Sequence, residues 1–180
     1  MAMVIRKTTQ IGNKVIRAKA VPVLNVRSKA TAKIIQDLTD SMHHHGLVGM
    51  AGPQIGKGVR IFVTEIRYNK SRKDRKLSDL DPLRIFINPR LISASRRQVK
   101  DWEGCGSVAY AGLFGSVKRP ASVGVEAYDE NGIKFALKAS NLLARVIQHE
   151  MDHLNGIVFV DKADTSTYMS RDEYLKMRRK

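Results

Sequence analysis

A chain of 180 residues with 43% apolar content is long enough to bury a hydrophobic core unaided, and its single cysteine, Cys105, excludes an internal disulfide. Lys and Arg outnumber Asp and Glu by 32 to 17, a net charge of +15 that exceeds what solubility needs and favours an extended polyanion such as RNA as a partner. Without a long apolar run or a signal-peptide pattern, the expectation is one cytoplasmic domain over 1–180, with no membrane contact. Aromatic residues are too sparse for a stacking array, so sequence-specific DNA or RNA readout is not expected.

The segment to about Val26 reads as an extended lead-in, broken at Pro22, with no evident chemistry. From Thr31 to His45, Ile34, Ile35, Leu38 and Met42 recur at helical spacing, with Ser28 or Thr31 to cap the start and Gly46 to end it. The run His43-His44-His45 ends this helix. Adjacent helical residues point in different directions, so the three read as a solvated end and not as one ligand set. Gly46 to Gly56 is dense in small residues around one polar side chain, Gln54, and reads as a tight loop.

Val59–Ile66 and Leu83–Asn88 are β-rich, the second stopped by Pro89. Between them the run from Lys70 to Lys76 reads as a solvated basic loop. Ser122–Ala127, a turn at Asp129-Glu130-Asn131-Gly132 and Ile133–Leu137 predict a hairpin. A helix capped by Ser140 or Asn141 follows, with Leu142, Val146, His149 and His153 on its core-facing side and a stop at Asn155-Gly156. Ile157–Val160 is strand-like, and the C-terminal tail, from about residue 165, is basic.

The chemistry concentrates in His149-Glu150-Met151-Asp152-His153. On a helix, residues i and i+4 lie one above the other, so both imidazoles can reach one metal ion while Glu150 projects beside it as a base. Catalytic ions of this kind take three protein ligands plus water. Cys105, between Gly104 and Gly106, reads as an exposed thiolate and supplies the third ligand. With no second cysteine and badly placed spare histidines, the fourth position stays open for water.

In three separated segments, in the right order, the sequence resembles the peptide deformylases. His149, Glu150, Asp152 and His153 match the family's His-Glu-x-Asp-His helix. Glu103, Gly104, Cys105 and Ser107 match its Glu-Gly-Cys-x-Ser segment, and Gly49 to Gln54 match its glycine-rich segment loosely. The resemblance covers roughly 5–165. It implies hydrolysis of the formyl group from formylmethionine on nascent polypeptides, by water activated on one divalent ion with Glu150 as general acid/base. Fe2+ is the implied physiological ion, with Zn2+, Ni2+ or Co2+ as substitutes. Gln54 and the backbone N–H of Gly106 are the implied oxyanion donors, and Gly49, Gly104 and Cys105 the implied substrate-contacting positions. Glu103 is a candidate partner for the ligands, paired with Arg119 or else in a surface ion pair. Asp152 is either an orienting group or a helix-surface charge.

Departures from the family pattern are Leu47 in place of a glycine, Gly52 in place of an alanine, Gly106 in place of a bulky apolar residue, and Ala111-Gly112-Leu113-Phe114-Gly115 where a Pro-Gly-Leu-Arg-Gly loop is usual. The expected fold is α+β, small antiparallel sheets packed around the motif-bearing helix. Weak electrostatic association with ribosomal RNA is expected from the charge. Two rival readings are a zinc endopeptidase and a ribosome- or RNA-binding relative with little catalysis.

Overall fold

The computed structural model describes residues 4–68 and 79–179; the basic run from Lys70 to Lys76 lies outside the described residues. The lead-in is not wholly extended. It forms one helical turn, α1 (Lys14–Arg17), because the Asn13 side chain accepts from the Val15 N–H. Helix α2 (Lys29–His44) begins at Ser28, whose hydroxyl accepts the Thr31 N–H, and Gly46 follows its end at φ +63°. The small-residue segment is more than a loop: it holds strand β1 (Gly49–Ala51) and a 3-10 turn over Gly52–Ile55.

The larger sheet is antiparallel and joins β1, β2 (Ile61–Ile66), β3 (Asp81–Ala94), β6 (Ser122–Tyr128) and β7 (Lys134–Ser140), in that order. Period-two alternation sends neighbouring residues of β2 to opposite faces. Phe62 stacks on Phe86, ring centroids 4.4 Å apart, in a cluster with Ala144, Ile147, Met151 and Leu154 of helix α3 (Asn141–Leu154). Ile61 and Val63 instead join Ile35, Leu38 and Met42 of α2. The sheet is thus covered by α3 on one face and α2 on the other.

A second antiparallel sheet, β4 (Gln98–Gly104), β5 (Leu113–Pro120) and β8 (Ala163–Ser170), carries the cysteine at the end of β4. Helix α3 contacts β1, β2, β6 and β7 of the first sheet and β5 of the second, so the motif helix lies where the sheets meet. The expected architecture is the observed one. Among the described residues no helix is long and apolar enough to cross a membrane.

Two further elements differ from expectation. Strand β3 runs through Pro89, because a register shift between Ile87 and Arg90 places the proline at a bulge, where no ladder N–H is needed. Asn88, at φ +51°, uses its side-chain amide to accept from Val23 N–H and donate to Val23 C=O, as a strand neighbour would. Ile157–Val160 is not a strand. Asp161 accepts the Val158 N–H, and Phe159–Asp161 turns as a 3-10 helix that buries Val158 and Phe159. The chain returns to extended form only in β8, and its basic end forms helix α4 (Arg171–Arg179).

Candidate metal centre and active site

One ligand atom each from Cys105, His149 and His153 lies within 4.8 Å of the others, the one such cluster of His, Cys, Asp or Glu among the described residues. The Cys105 Sγ is 3.2 Å from His153 Nε2. The thiol is not exposed, as its glycine neighbours suggested, but 2% accessible. Those glycines allow close packing instead. A Cβ on Gly104 would lie 2.7 Å from the Phe114 ring, and one on Gly106 would lie 3.2 Å from both Leu47 Cδ1 and Thr8 Cγ2. Burial alone would raise the Cys105 pKa, but the adjacent His153 and His149 outweigh it and hold the thiol well below its ordinary value. A thiolate and two imidazoles, with no fourth side chain in the cluster, fit a divalent transition-metal ion with an open position.

Glu103, 6% exposed, orients this set. Its carboxylate accepts from Arg119 Nε at 2.6 Å and Nη2 at 2.9 Å, and from Arg145 Nη1 at 2.6 Å. It also meets His149 Nδ1 at 3.0 Å. Burial would push the Glu103 pKa up, but the bonds from Arg119 and His149 prevail and hold it well below the carboxylate range. An ionised carboxylate only accepts, so His149 Nδ1 carries the proton and Nε2 is left with a lone pair that could bind a metal ion. Arg119 also donates to Asp152 Oδ2 at 2.8 Å, and Lys162 to Asp152 Oδ1 at 2.6 Å. Asp152 is therefore an orienting group and Glu103 a buried anchor, not surface charges. The sequence did not point to Arg145 or Lys162, which have no motif spacing to mark them.

Glu150 is 3% exposed and its Oε2 has no hydrogen-bond partner. Burial lifts its pKa to about 7, against the opposing pull of His149 and His153 and with a smaller push from Cys105. Gly49 lies against this carboxylate, where a Cβ would collide with Oε1. Gln54 is aimed by its own turn. Its Oε1 accepts the Ala51 N–H at 2.7 Å, which leaves Nε2 facing Cys105 Sγ at 3.6 Å as a donor. The three adjacent histidines at the end of α2 take no part: His43 meets Glu65, His45 meets the Arg6 carbonyl, and His44 edges the His45 ring.

Two of the departures from the family pattern meet here. Leu47 occupies the space beside Gly106 that a larger residue at 106 would fill. Gly106→Leu should therefore destabilise by about 1–3 kcal/mol in chemical denaturation through overpacking, and adding Leu47→Gly should recover a large part of the loss. Equal losses in the single and double variants would show that the two side chains do not share that space.

The chain matches the family model described as polypeptide deformylase over residues 5–168. It is 36% identical over 162 residues to peptide deformylase 1 of Nostoc sp., covering 90% of this chain and 81% of that protein. Identity is also 36% over 166 residues to the peptide deformylase of Treponema pallidum, covering 92% and 91%. A Met-Ala-Ser-bound class I type b peptide deformylase from Acinetobacter baumannii superposes with a TM-score of 0.82 at 26% identity, over 89% of this chain and 99% of that one. Matches that span nearly the whole chain, with the same enzyme on both sequence and structural grounds, place it in the polypeptide deformylase family.

Proposed function

We propose that the chain, acting as one catalytic unit, removes the formyl group from formylmethionine at the start of newly made polypeptides. The observation that carries this reading is the convergence of Cys105, His149 and His153 beside a buried carboxylate, Glu150, with one oxygen unpartnered. Cys105 and the two histidines would hold one divalent cation, which when bound supplies Lewis acidity for activating water. Glu150, poised near neutrality by burial, takes a proton from that water and passes it to the leaving nitrogen. A C–O bond forms at the formyl carbon, the C–N bond breaks, and formate and a free amine result. In this reading the Gln54 amide, whose Nε2 faces Cys105 Sγ, and the Gly106 N–H donate to the oxygen as charge builds on it.

Sheet order supports an extended peptide as substrate. Strand β1 is at the end of its sheet, paired on one side with β2, so a peptide can add along its other edge as a further strand. Gly49 on that strand leaves room for Glu150. The Met-Ala-Ser bound to the Acinetobacter baumannii relative supports methionine as the first residue. Fe2+ is the proposed physiological ion, with Zn2+, Ni2+ or Co2+ able to replace it, since sulfur and imidazole suit all of them. The endopeptidase and non-catalytic readings are not favoured.

Protein purified without oxygen should release formate from formyl-Met-Ala-Ser, and prolonged chelation should abolish the release. Glu150→Ala should retain the metal yet lose activity by about 10²–10⁴-fold. Unchanged turnover in Glu150→Ala would remove the assigned base. The net charge of +15 also leads us to propose a cytoplasmic enzyme that binds ribosomes weakly. Co-sedimentation with ribosomes should weaken steeply as salt is raised, and salt-independent retention would contradict an electrostatic contact.

A further inference from the structure

The lead-in, in which the sequence shows no chemistry, is bonded to two of the segments that build the site. Thr9 N–H donates to the Gln54 carbonyl at 2.8 Å and Ile11 N–H to the Ser107 carbonyl at 2.9 Å. Between them, Gln10 reaches into the cysteine segment with its side chain. Its Nε2 donates to the Gly106 carbonyl at 2.8 Å and meets the Thr8 carbonyl and hydroxyl, each at 3.0 Å. Its Oε1 accepts the Tyr110 N–H at 3.1 Å. The orientation is settled by this company: a flipped amide would set its oxygen against two carbonyls and its NH2 against an N–H.

The peptide unit that Gln10 holds is the one that touches the sulfur. Its carbonyl is that of Gly106, and its N–H, that of Ser107, donates to Cys105 Sγ at 3.4 Å. A peptide is planar, so fixing its oxygen fixes the direction of its N–H, and a bond to the carbonyl polarises that N–H further. The same side chain braces a costly turn. Ala109, Tyr110 and Ala111 have φ of 47°, 53° and 62°, a left-handed run unfavourable for L-residues, with Ala111 N–H on the Cys105 carbonyl at 3.1 Å.

We propose that Gln10 is a positioning residue for Cys105, acting through the Gly106–Ser107 peptide to set how the thiolate is presented to the metal and how tightly the metal is held. This rests on the metal-centre reading above. Hydrogen-bonding partners that orient a ligand commonly govern metal affinity by about 10–100-fold.

The test uses full-length protein loaded with Co2+ without oxygen, as wild type, Gln10→Glu, Gln10→Met and Gln10→Lys. Glu keeps an acceptor for Tyr110 but loses the donor to Gly106; Met loses both; Lys keeps a donor and loses the acceptor. The Glu and Met variants should shift the sulfur-to-cobalt absorption band and surrender Co2+ to a competing chelator about 10–100-fold faster, while Lys stays close to wild type. Formate release by Glu and Met should fall in kcat with little change in KM. Glu and Met remove the same bond differently, so whichever folds, as judged by melting of the metal-free protein, is sufficient. The inference is overturned if the band and release rate match wild type, or if Lys loses the metal while Glu retains it, which would assign the residue to the Tyr110 turn alone. A wild-type protein with no sulfur-to-cobalt band would instead contradict the metal centre itself.

Discussion

The site depends on one buried carboxylate. Glu103 stands at the end of β4, next to the cysteine segment, and gathers Arg119 from β5 with Arg145 and His149 from α3. Taking an ionised carboxylate out of water is costly, and the cost is offset only when its oxygens are filled by well-aligned donors. Here both are filled, and the donors come from two elements, β5 and α3. Removing one partner from such a buried pair costs about 3–5 kcal/mol in general, because the remaining charge is stranded. The network therefore ties the second sheet to the motif helix and fixes the His149 ring in the same act. Stability and ligand geometry rest on the same hydrogen bonds.

Around that anchor the chain is arranged for close approach. Gly49 clears space for Glu150, Gly104 admits the Phe114 ring, and Gly106 leaves the place that Leu47 takes. Phe114 in turn stacks on Tyr174 of α4, ring centroids 4.1 Å apart, so the C-terminal helix braces the strand that lies behind the cysteine. The departures from the family pattern at 47 and 106 are thus a local exchange of volume. They alter the rim of the site and leave the ligand atoms and the base in place.

The sequence made helices α2 and α3, the β6–β7 hairpin and the two histidine ligands legible because each is encoded over a short span. The i, i+4 spacing of His149 and His153 and the turn at Asp129–Gly132 need no knowledge of the rest of the chain. What it hid was non-local. Strands β4, β5 and β8 carry polar residues such as Lys100, Lys118 and Asp164 in place of a clean apolar alternation, and their pairing is decided by partners far along the chain. Arg145 looks like a surface charge on an amphipathic helix until Glu103 arrives opposite it. The burial of Cys105 is hidden for a related reason: flanking glycines signal exposure or tight packing equally well, and only the approach of Phe114, Leu47 and Thr8 decides between them. Pro89 and Ile157–Val160 show local signals overruled, the first by a bulge with Asn88 as stand-in partner, the second by Asp161 capping a turn.

Everything proposed about chemistry returns to whether one sulfur and two imidazoles share an ion. X-ray absorption at the metal edge of protein isolated without oxygen reads this directly. For a zinc-loaded sample the predicted result is one sulfur at about 2.3 Å and two imidazole nitrogens at about 2.0–2.1 Å, with the remaining position filled by a light solvent atom. A spectrum lacking the sulfur shell, or one with four protein ligands and no solvent position, would contradict an open Cys105, His149, His153 centre.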